Sequence, residues 1–353
     1  MESRKALMPK RTGVVVIGRN EGLRLERCLE SIIPEDVKTV YVDSGSTDGS
    51  VEAARRHGAT VVELDTSIPF CAARARNAGY QQLLATDPHL EYIQFIDGDC
   101  EIVAGWIESA AGFLQDHPDH AAVTGWLHEK FPEASIYNRL GDIEWNFSGA
   151  GEIDATGGIF MIRRKAFDSV GGFDPTVAAG EEPELCQRLR REGWKIRRLD
   201  RDMASHDLAM TRFGQWWQRM VRSGYSSMDV ARRFRIARYK QKNQRVWFWA
   251  AWLVLLVLAG GLTVTLPAPE IALMAALLLL ALWPARFIRI ALRIHRRGYA
   301  LRTAAAYAGL MTIVFLPQIT GQLLYLADRL RKRSFRLVEY KRASTSGIKN
   351  RHY

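Results

Sequence analysis

Acidic residues are almost missing from the last third of this 353-residue chain. From Arg233 to Tyr353 there are 21 Lys and Arg against only Glu270, Asp328 and Glu339, a balance of +18; with +11 overall, the first 232 residues carry −7. That asymmetry argues against a nucleic-acid partner, whose binding patch would sit on the folded domain beside aromatic residues. Cysteine is scarce as well. Cys28, Cys71, Cys100 and Cys186 are the only four, and no C-x-x-C spacing is present, which excludes a metal knuckle and leaves reduced thiols facing the cytosol as the expectation. The opening MESRKALMPKRTGVVVIGRNE has neither the apolar length nor the cleavage pattern of a secretory signal, so the N-terminal domain is expected to stay in the cytoplasm. Internal repeats and low-complexity tracts are also lacking, and the length allows one large domain with an appendix, or two domains.

What is present in the first part is an alternation. Val14 to Ile17 is a β-branched run that ends in Gly-Arg-Asn-Glu, followed by Leu23, Leu25, Cys28, Leu29 and Ile32 at roughly helical spacing. The cycle repeats with a strand over Thr39 to Val42, a loop DSGSTDGS, and a helix through Val51 to His57 for which Ser50 is a candidate cap. A third strand, Thr60 to Leu64, precedes a helix around Ala72 to Leu84, and a fourth, Tyr92 to Ile96, runs into the stretch FIDGDCE. Strands alternating with helices predict an α/β domain whose mostly parallel sheet has helices on both faces. Ligands of such sheets bind outside the carboxyl ends of the strands. The loops there carry Asn20-Glu21, then Asp43 with Ser44 and Ser46, then Asp97 with Asp99. Each acid alone is compatible with a solvated turn, and Asp-Gly-Asp is common turn chemistry. Three of four strands ending in acids at one edge points instead to a cation and phosphate site.

The second part is apolar. Val246 to Leu266 is almost uncharged and long enough for a bilayer core of about 30 Å. Pro267 to Glu270 makes a tight connection, and Ile271 to Trp283 begins a second span expected to continue through Pro284 to about Ile290. Six Lys and Arg precede the first span, counting from Arg233, and six more lie between Arg286 and Arg302, so the two spans form a hairpin with both ends on the cytoplasmic side. A third apolar segment, Thr303 to Ala327, is interrupted by Pro317 and followed by a tail with Arg329, Arg331, Lys332, Arg333, Arg336, Lys341 and Arg342. Crossing would place that tail outside, against the positive-inside rule, so a re-entrant or interfacial helix is expected.

Six stretches, GVVVIGRNEG, YVDSGSTDGS, ARARNAGY, FIDGDC, TGGIFMIRRKAFDSVGGFD and GEEPELCQRLRREG, occur in an order and spacing that resembles glycosyltransferase family 2 over about the first 220 residues. The resemblance implies a nucleotide-sugar-binding GT-A fold and an inverting, metal-dependent transfer. It places Glu21 and Asp43 at the nucleoside, Arg76 near the diphosphate, Asp97 near the ribose and metal, and Asp99 on Mg²⁺ or Mn²⁺. Glu182 occupies the position of the base, where the family usually has Asp, with Glu181 as its neighbour and rival. Gly157 and Gly158 fall where a close-packed wall lies near donor sugar and acceptor. His206 matches a histidine that completes the metal shell in some GT-A enzymes; a lone histidine is otherwise more often structural. Trp217 and Arg219 partly resemble the Gln-x-x-Arg-Trp signature of processive synthases, in a different order, and an amphipathic helix at a membrane surface accounts for the same residues.

These expectations divide the chain into a GT-A domain (1–232), a basic juxtamembrane linker (233–245), transmembrane and interfacial helices (246–328) and a basic cytoplasmic tail (329–353). The partners expected are a nucleotide diphosphate sugar, a lipid-linked or saccharide acceptor and a membrane, here the inner membrane of a bacterium with the catalytic domain in the cytoplasm. Two other readings compete: a processive polysaccharide synthase, and a catalytically silent nucleotide-binding membrane scaffold. A sugar nucleotidyltransferase would need a Gly-rich phosphate loop near its N-terminus, which GRNEG does not supply.

Overall fold

The computed structural model describes residues 11–147, 149–177, 179–265 and 269–331. The tail residues Lys332, Arg333, Arg336, Lys341 and Arg342, and Pro267 of the expected hairpin turn, lie outside the described residues. The chain opens with β1 (Thr12–Gly18), α1 (Leu23–Ile32), β2 (Lys38–Asp43), α2 (Ser50–Arg56), β3 (Thr60–Glu63), α3 (Ala72–Thr86) and β4 (Tyr92–Asp97). It continues through β5 (Cys100–Ile102), α4 (Trp106–Asp116), β6 (His120–Glu129), α5 (Ile136–Trp145), β7 (Gly151–Glu152), β8 (Phe160–Arg163), α6 (Arg164–Ser169), α7 (Glu181–Arg191) and β9 (Lys195–His206). The strands form one sheet in the order β3-β2-β1-β4-β8-β6-β9-β5, with β7 paired to β9.

The first four strands are mutually parallel, as their βα alternation requires. Beyond β4 the sheet is mixed: β8 runs antiparallel to both β4 and β6, while β6 and β9 are parallel. Side chains alternate across the sheet. Val14 and Val16 enter a core with Leu25, Cys28 and Trp106 on one face, and Val15 and Ile17 enter a second with Ala73, Ala75 and Leu83 on the other. Both faces are therefore dry and helix-covered. At α2 the expected cap is displaced by one residue. Gly49 occupies the N-cap position, and the Ser50 hydroxyl instead accepts from the Gly22 amide at 3.3 Å and donates to Asp48 at 2.6 Å, tying the first two strand-end loops together.

The C-terminal part is helical: α8 (Phe213–Phe234), α9 (Ala237–Thr265), α10 (Glu270–His295), α11 (Leu301–Ile313) and α12 (Phe315–Leu330). The basic stretch 233–245, expected as a linker, is the end of α8, a turn at Arg235 with φ 55°, and the first two turns of α9. Lys and Arg are good helix formers whose stems lie along apolar surface, so a basic composition does not interrupt the helix. Among the described residues three segments are long and apolar enough to cross a membrane: 237–265, 270–295 and 301–330. The second passes through Pro284 without a break. In the third, two helices meet at Val314, and 33% of its most apolar window is buried, against 11% and 6% for the other two.

That burial comes from the clasp between α8 and α12. A Cβ at Gly224 would collide with the Gln318 backbone, and one at Gly321 with the Val221 backbone, so the two helices touch main chain to main chain. Asn243 of α9 completes the junction, accepting from Ser227 at 2.7 Å and from Gln322 at 3.0 Å. A Gly224→Leu substitution should therefore separate α8 from α12 and lower the thermal midpoint of the full chain in detergent. Gly260→Leu, where an added Cβ meets nothing within 4 Å, should leave it nearly unchanged.

Candidate active site

Parallel pairing aligns the strand ends. Asp43 is opposite Gly18, and Asp97 is opposite Ile17, so the two acids sit at the same sheet edge on either side of β1, about 10 Å apart by strand spacing. Asp43 is almost fully buried. Its carboxylate accepts from the Gly45 and Ser46 amides at 2.8 Å each and from the Tyr41 hydroxyl at 3.0 Å. Burial first, and the Asp43 charge second, push the Tyr41 phenol far above its ordinary value, so it remains a donor. Asn20 holds the neighbouring loop against this one: its amide donates to Ser46 Oγ at 2.9 Å and its side chain accepts from the Thr47 amide at 2.8 Å. Glu21 pairs with Arg24 at 2.6 Å and lies close to Gly98.

Asp97 and Asp99, two residues apart, serve different clusters. The turn between them is tight because the Gly98 amide bonds Ile17 O at 2.8 Å, and a Cβ at Gly98 would sit 3.3 Å from that same oxygen. Asp97 accepts from Arg76 at 3.0 Å. Arg76 is 2% exposed and also donates to Glu181 at 2.9 Å and to Glu182 at 3.1 Å. A single guanidinium from α3 thus joins the strand-end acid to the start of α7. Arg76, expected near the diphosphate, has its two terminal nitrogens on three carboxylates of this edge. Burial opposes the Arg76 charge, but the Glu182, Asp97 and Glu181 carboxylates outweigh it and raise its pKa.

Glu182 is the more exposed of the α7 pair, with 15% of its side chain accessible against 7% for Glu181. Burial and the Glu181 charge drive its pKa up, Arg76 opposes them, and the result is about 7. Gly158 packs under this cluster: a Cβ there would lie 2.8 Å from Asp97 Oδ2 and 2.9 Å from Arg76 Nη2. Next to it, a Cβ at Gly157 would meet nothing within 4 Å, so that position borders open space.

Asp99 faces the other way. Antiparallel pairing of β5 with β9 sets Cys100 opposite His206, and His206 Nε2 comes within 3.3 Å of Asp99 Oδ2. The carboxylate oxygen of Asp99, the thiol of Cys100 and a ring nitrogen of His206 all lie within 4.8 Å of one another. Behind them His206 Nδ1 is 3.8 Å from Glu129 Oε2, and the Trp145 ring meets the imidazole edge-on at 4.7 Å. Three buried donors of different kinds, with a carboxylate behind the imidazole, fit a divalent cation. Trp217 and Arg219 lie on α8. Arg219 pairs with Glu144 at 3.2 Å, and Trp217 packs in the cluster around Trp216 and Met220. They bear on the site through α5, whose Glu144 precedes the Trp145 that touches His206. Sequence reasoning passed over Glu129, Trp145 and Cys100. Only Cys100 carried a local signal, its adjacency to Asp99.

A mixed α/β sheet with helices on both faces and acids at its carboxyl edge has the GT-A fold. The chain superposes on the mannosyltransferase PcManGT from Pyrobaculum calidifontis, solved in complex with GDP-Man and Mn²⁺, with a TM-score of 0.54 at 20% identity over 90% of this chain and 88% of that one. Residues 13–171 match the model of glycosyl transferase family 2, and residues 146–212 match the N-terminal domain of galactosyltransferase. Residues 13–171 thus form a glycosyl transferase family 2 domain. Relatives include the succinoglycan biosynthesis protein ExoA of Rhizobium meliloti, 28% identical over 53% of this chain and 60% of that protein. Another is the pre-mycofactocin glycosyltransferase of Mycobacterium tuberculosis, 26% identical over 62% of this chain and 47% of that protein. The matched part thus spans between about half and three fifths of these relatives' length.

Arg76→Leu should destabilise the domain by about 3–5 kcal/mol in chemical denaturation, because three carboxylates would be left together without their counter-ion. Arg190→Ala, which removes a surface pair with Asp154, should cost less than about 1 kcal/mol.

Proposed function

We propose that this chain is an inverting, metal-dependent glycosyltransferase that moves a sugar from a nucleotide diphosphate sugar to a membrane-associated, polyprenyl-linked acceptor in polysaccharide or glycolipid biosynthesis. The observation that carries the reading is the placement of Glu182 at the start of α7, joined through Arg76 to the acid at the end of β4, with burial and the Glu181 charge raising its pKa to about 7. A base of that strength exists in both protonation states at working pH, which suits proton removal from an alcohol and its later release.

In this reading Asp43, already oriented by Tyr41 and two amides, and Glu21 receive the nucleoside, and Asp97 receives the ribose. Asp99 and His206 hold Mg²⁺ or Mn²⁺, which when bound offsets the charge gathering on the departing diphosphate. Glu182 Oε takes the proton of the acceptor hydroxyl from the face opposite the leaving group. Glu181 keeps the Glu182 pKa high, and Arg76 fixes both against Asp97 as a positioning residue. Gly158 lets the wall of the site approach these groups closely.

The proposed organisation is a catalytic domain over residues 1–232, basic helical turns over 233–245, membrane and interfacial helices over 246–328, and a basic tail over 329–353. The exposed apolar surfaces of α9 and α10, and the basic residues flanking them, support anchoring with the catalytic domain on the cytoplasmic face of a bacterial inner membrane. ExoA's part in succinoglycan biosynthesis supports the polysaccharide setting, and the GDP-Man and Mn²⁺ of the Pyrobaculum enzyme support the donor and metal classes.

The test is turnover of a panel of sugar nucleotides by the full chain on lipid extracts. Glu182→Gln should lose at least about a hundredfold in kcat while still binding nucleoside diphosphate. Wild-type kcat/KM should rise with pH through about 7, because the base must be ionised. Glu181→Gln should move that rise to lower pH, since removing its charge lowers the Glu182 pKa. A Glu182→Gln variant with undiminished turnover would remove the base assignment.

A further inference from the structure

The proposed reaction assigns the cation to Asp99 and His206 alone, and the third donor of that cluster, Cys100, has no role in it. Cys100 Sγ is fully buried and lies 3.5 Å from Asp99 Oδ1, inside the same 4.8 Å group as the His206 nitrogen. β5 is only three residues long, and its pairing with β9 fixes Cys100 directly opposite His206. The surroundings are electronegative. The side chains of Asp99 and Glu129 are 2% and 0% exposed and stand on either side of the imidazole. Glu129 takes its hydrogen bonds from neutral donors, the Phe131 and Leu208 amides and the Asn138 side chain. Two buried carboxylates close to one another favour a bound cation.

We propose that Cys100 is a third protein donor to this cation and sets its identity. The inference rests on Asp99 and His206 holding a divalent ion, and it adds the reason for preferring one ion over another. A carboxylate alone suits Mg²⁺ and Mn²⁺, whereas an imidazole and a sulfur together shift preference toward borderline ions such as Co²⁺ and Zn²⁺. On binding, the thiol proton leaves to solvent and the thiolate joins carboxylate and imidazole. Asp99, Cys100 and His206 would hold the ion, which would supply positive charge toward a diphosphate. The thiol thus favours Co²⁺ and Zn²⁺ over Mg²⁺ by softness rather than by cavity size. Cys28, the other thiol of this core, has its sulfur on the Asp97 carbonyl at 3.8 Å and is not part of the donor group.

Cobalt supplies the test, because a Co–thiolate bond has a charge-transfer absorption in the near ultraviolet that oxygen and nitrogen ligands do not give. The full chain in detergent is titrated with Co²⁺, Mn²⁺ and Mg²⁺, with and without a nucleoside diphosphate. Wild type and Cys28→Ser should show the charge-transfer band. Cys100→Ser should lose it, with Co²⁺ affinity falling roughly tenfold or more and Mg²⁺ affinity changing less than about threefold. Co²⁺ bound by wild type with ligand-field bands but no charge-transfer band would overturn the role of Cys100 while leaving the Asp99 and His206 site standing, and this readout needs no variant to fold. Co²⁺ binding unaltered by Asp99→Ala and His206→Ala would overturn both.

Discussion

One guanidinium organises the site. Arg76 is buried, carries its charge against the cost of desolvation, and is held by Asp97, Glu181 and Glu182 from two distant parts of the chain. Without it, three carboxylates at the junction of β4 and α7 would repel one another. With it, Asp97 and Glu181 share a counter-ion while Glu182, the most exposed of the α7 pair, stays weakly acidic. The same contact fixes the distance between the two groups proposed to act on donor and acceptor. Structural stability and the protonation state of the proposed base therefore depend on one side chain.

The turn Asp97-Gly98-Asp99 divides the labour of the edge. Because Gly98 permits the main chain to bond Ile17 closely, Asp97 remains at the end of β4 facing Arg76, while Asp99 enters β5 and meets His206 across the β9 pairing. Adjacent acids that might have competed for one proton are assigned to separate partners. In the proposed reaction, leaving-group stabilisation and proton removal then have distinct electrostatic surroundings, so a substitution in one cluster need not retune the other.

Much of this was legible in the residues themselves. β-branched runs ending in acids located β1, β2 and β4 to within two residues, and parallel alternation placed Asp43 and Asp97 at one edge before any coordinates. What escaped was set by contacts between residues far apart in sequence. The Arg76 fork closes across 105 residues to Glu181, and no local pattern distinguishes it from a phosphate-facing arginine. The antiparallel β8, inserted between β4 and β6, has the same apolar run as a parallel strand. Glu129 reads as an ordinary charge beside Lys130, and only the fold shows it buried behind His206. The stretch after Arg233 read as a connector because it is basic, although a basic sequence is equally good helix.

The main-chain contact of α8 with α12 has a mechanical consequence. Helices whose backbones touch at Gly224 and Gly321, with Asn243 bonded to both, leave no side-chain layer to slide or tilt. On the proposed reading this contact stiffens the join between the globular part and its apolar base. The edge bearing Glu182 then keeps one elevation above the lipid, and an acceptor must present its hydroxyl at that elevation. Saccharide length between headgroup and reactive sugar thereby becomes a quantity measured by a rigid strut.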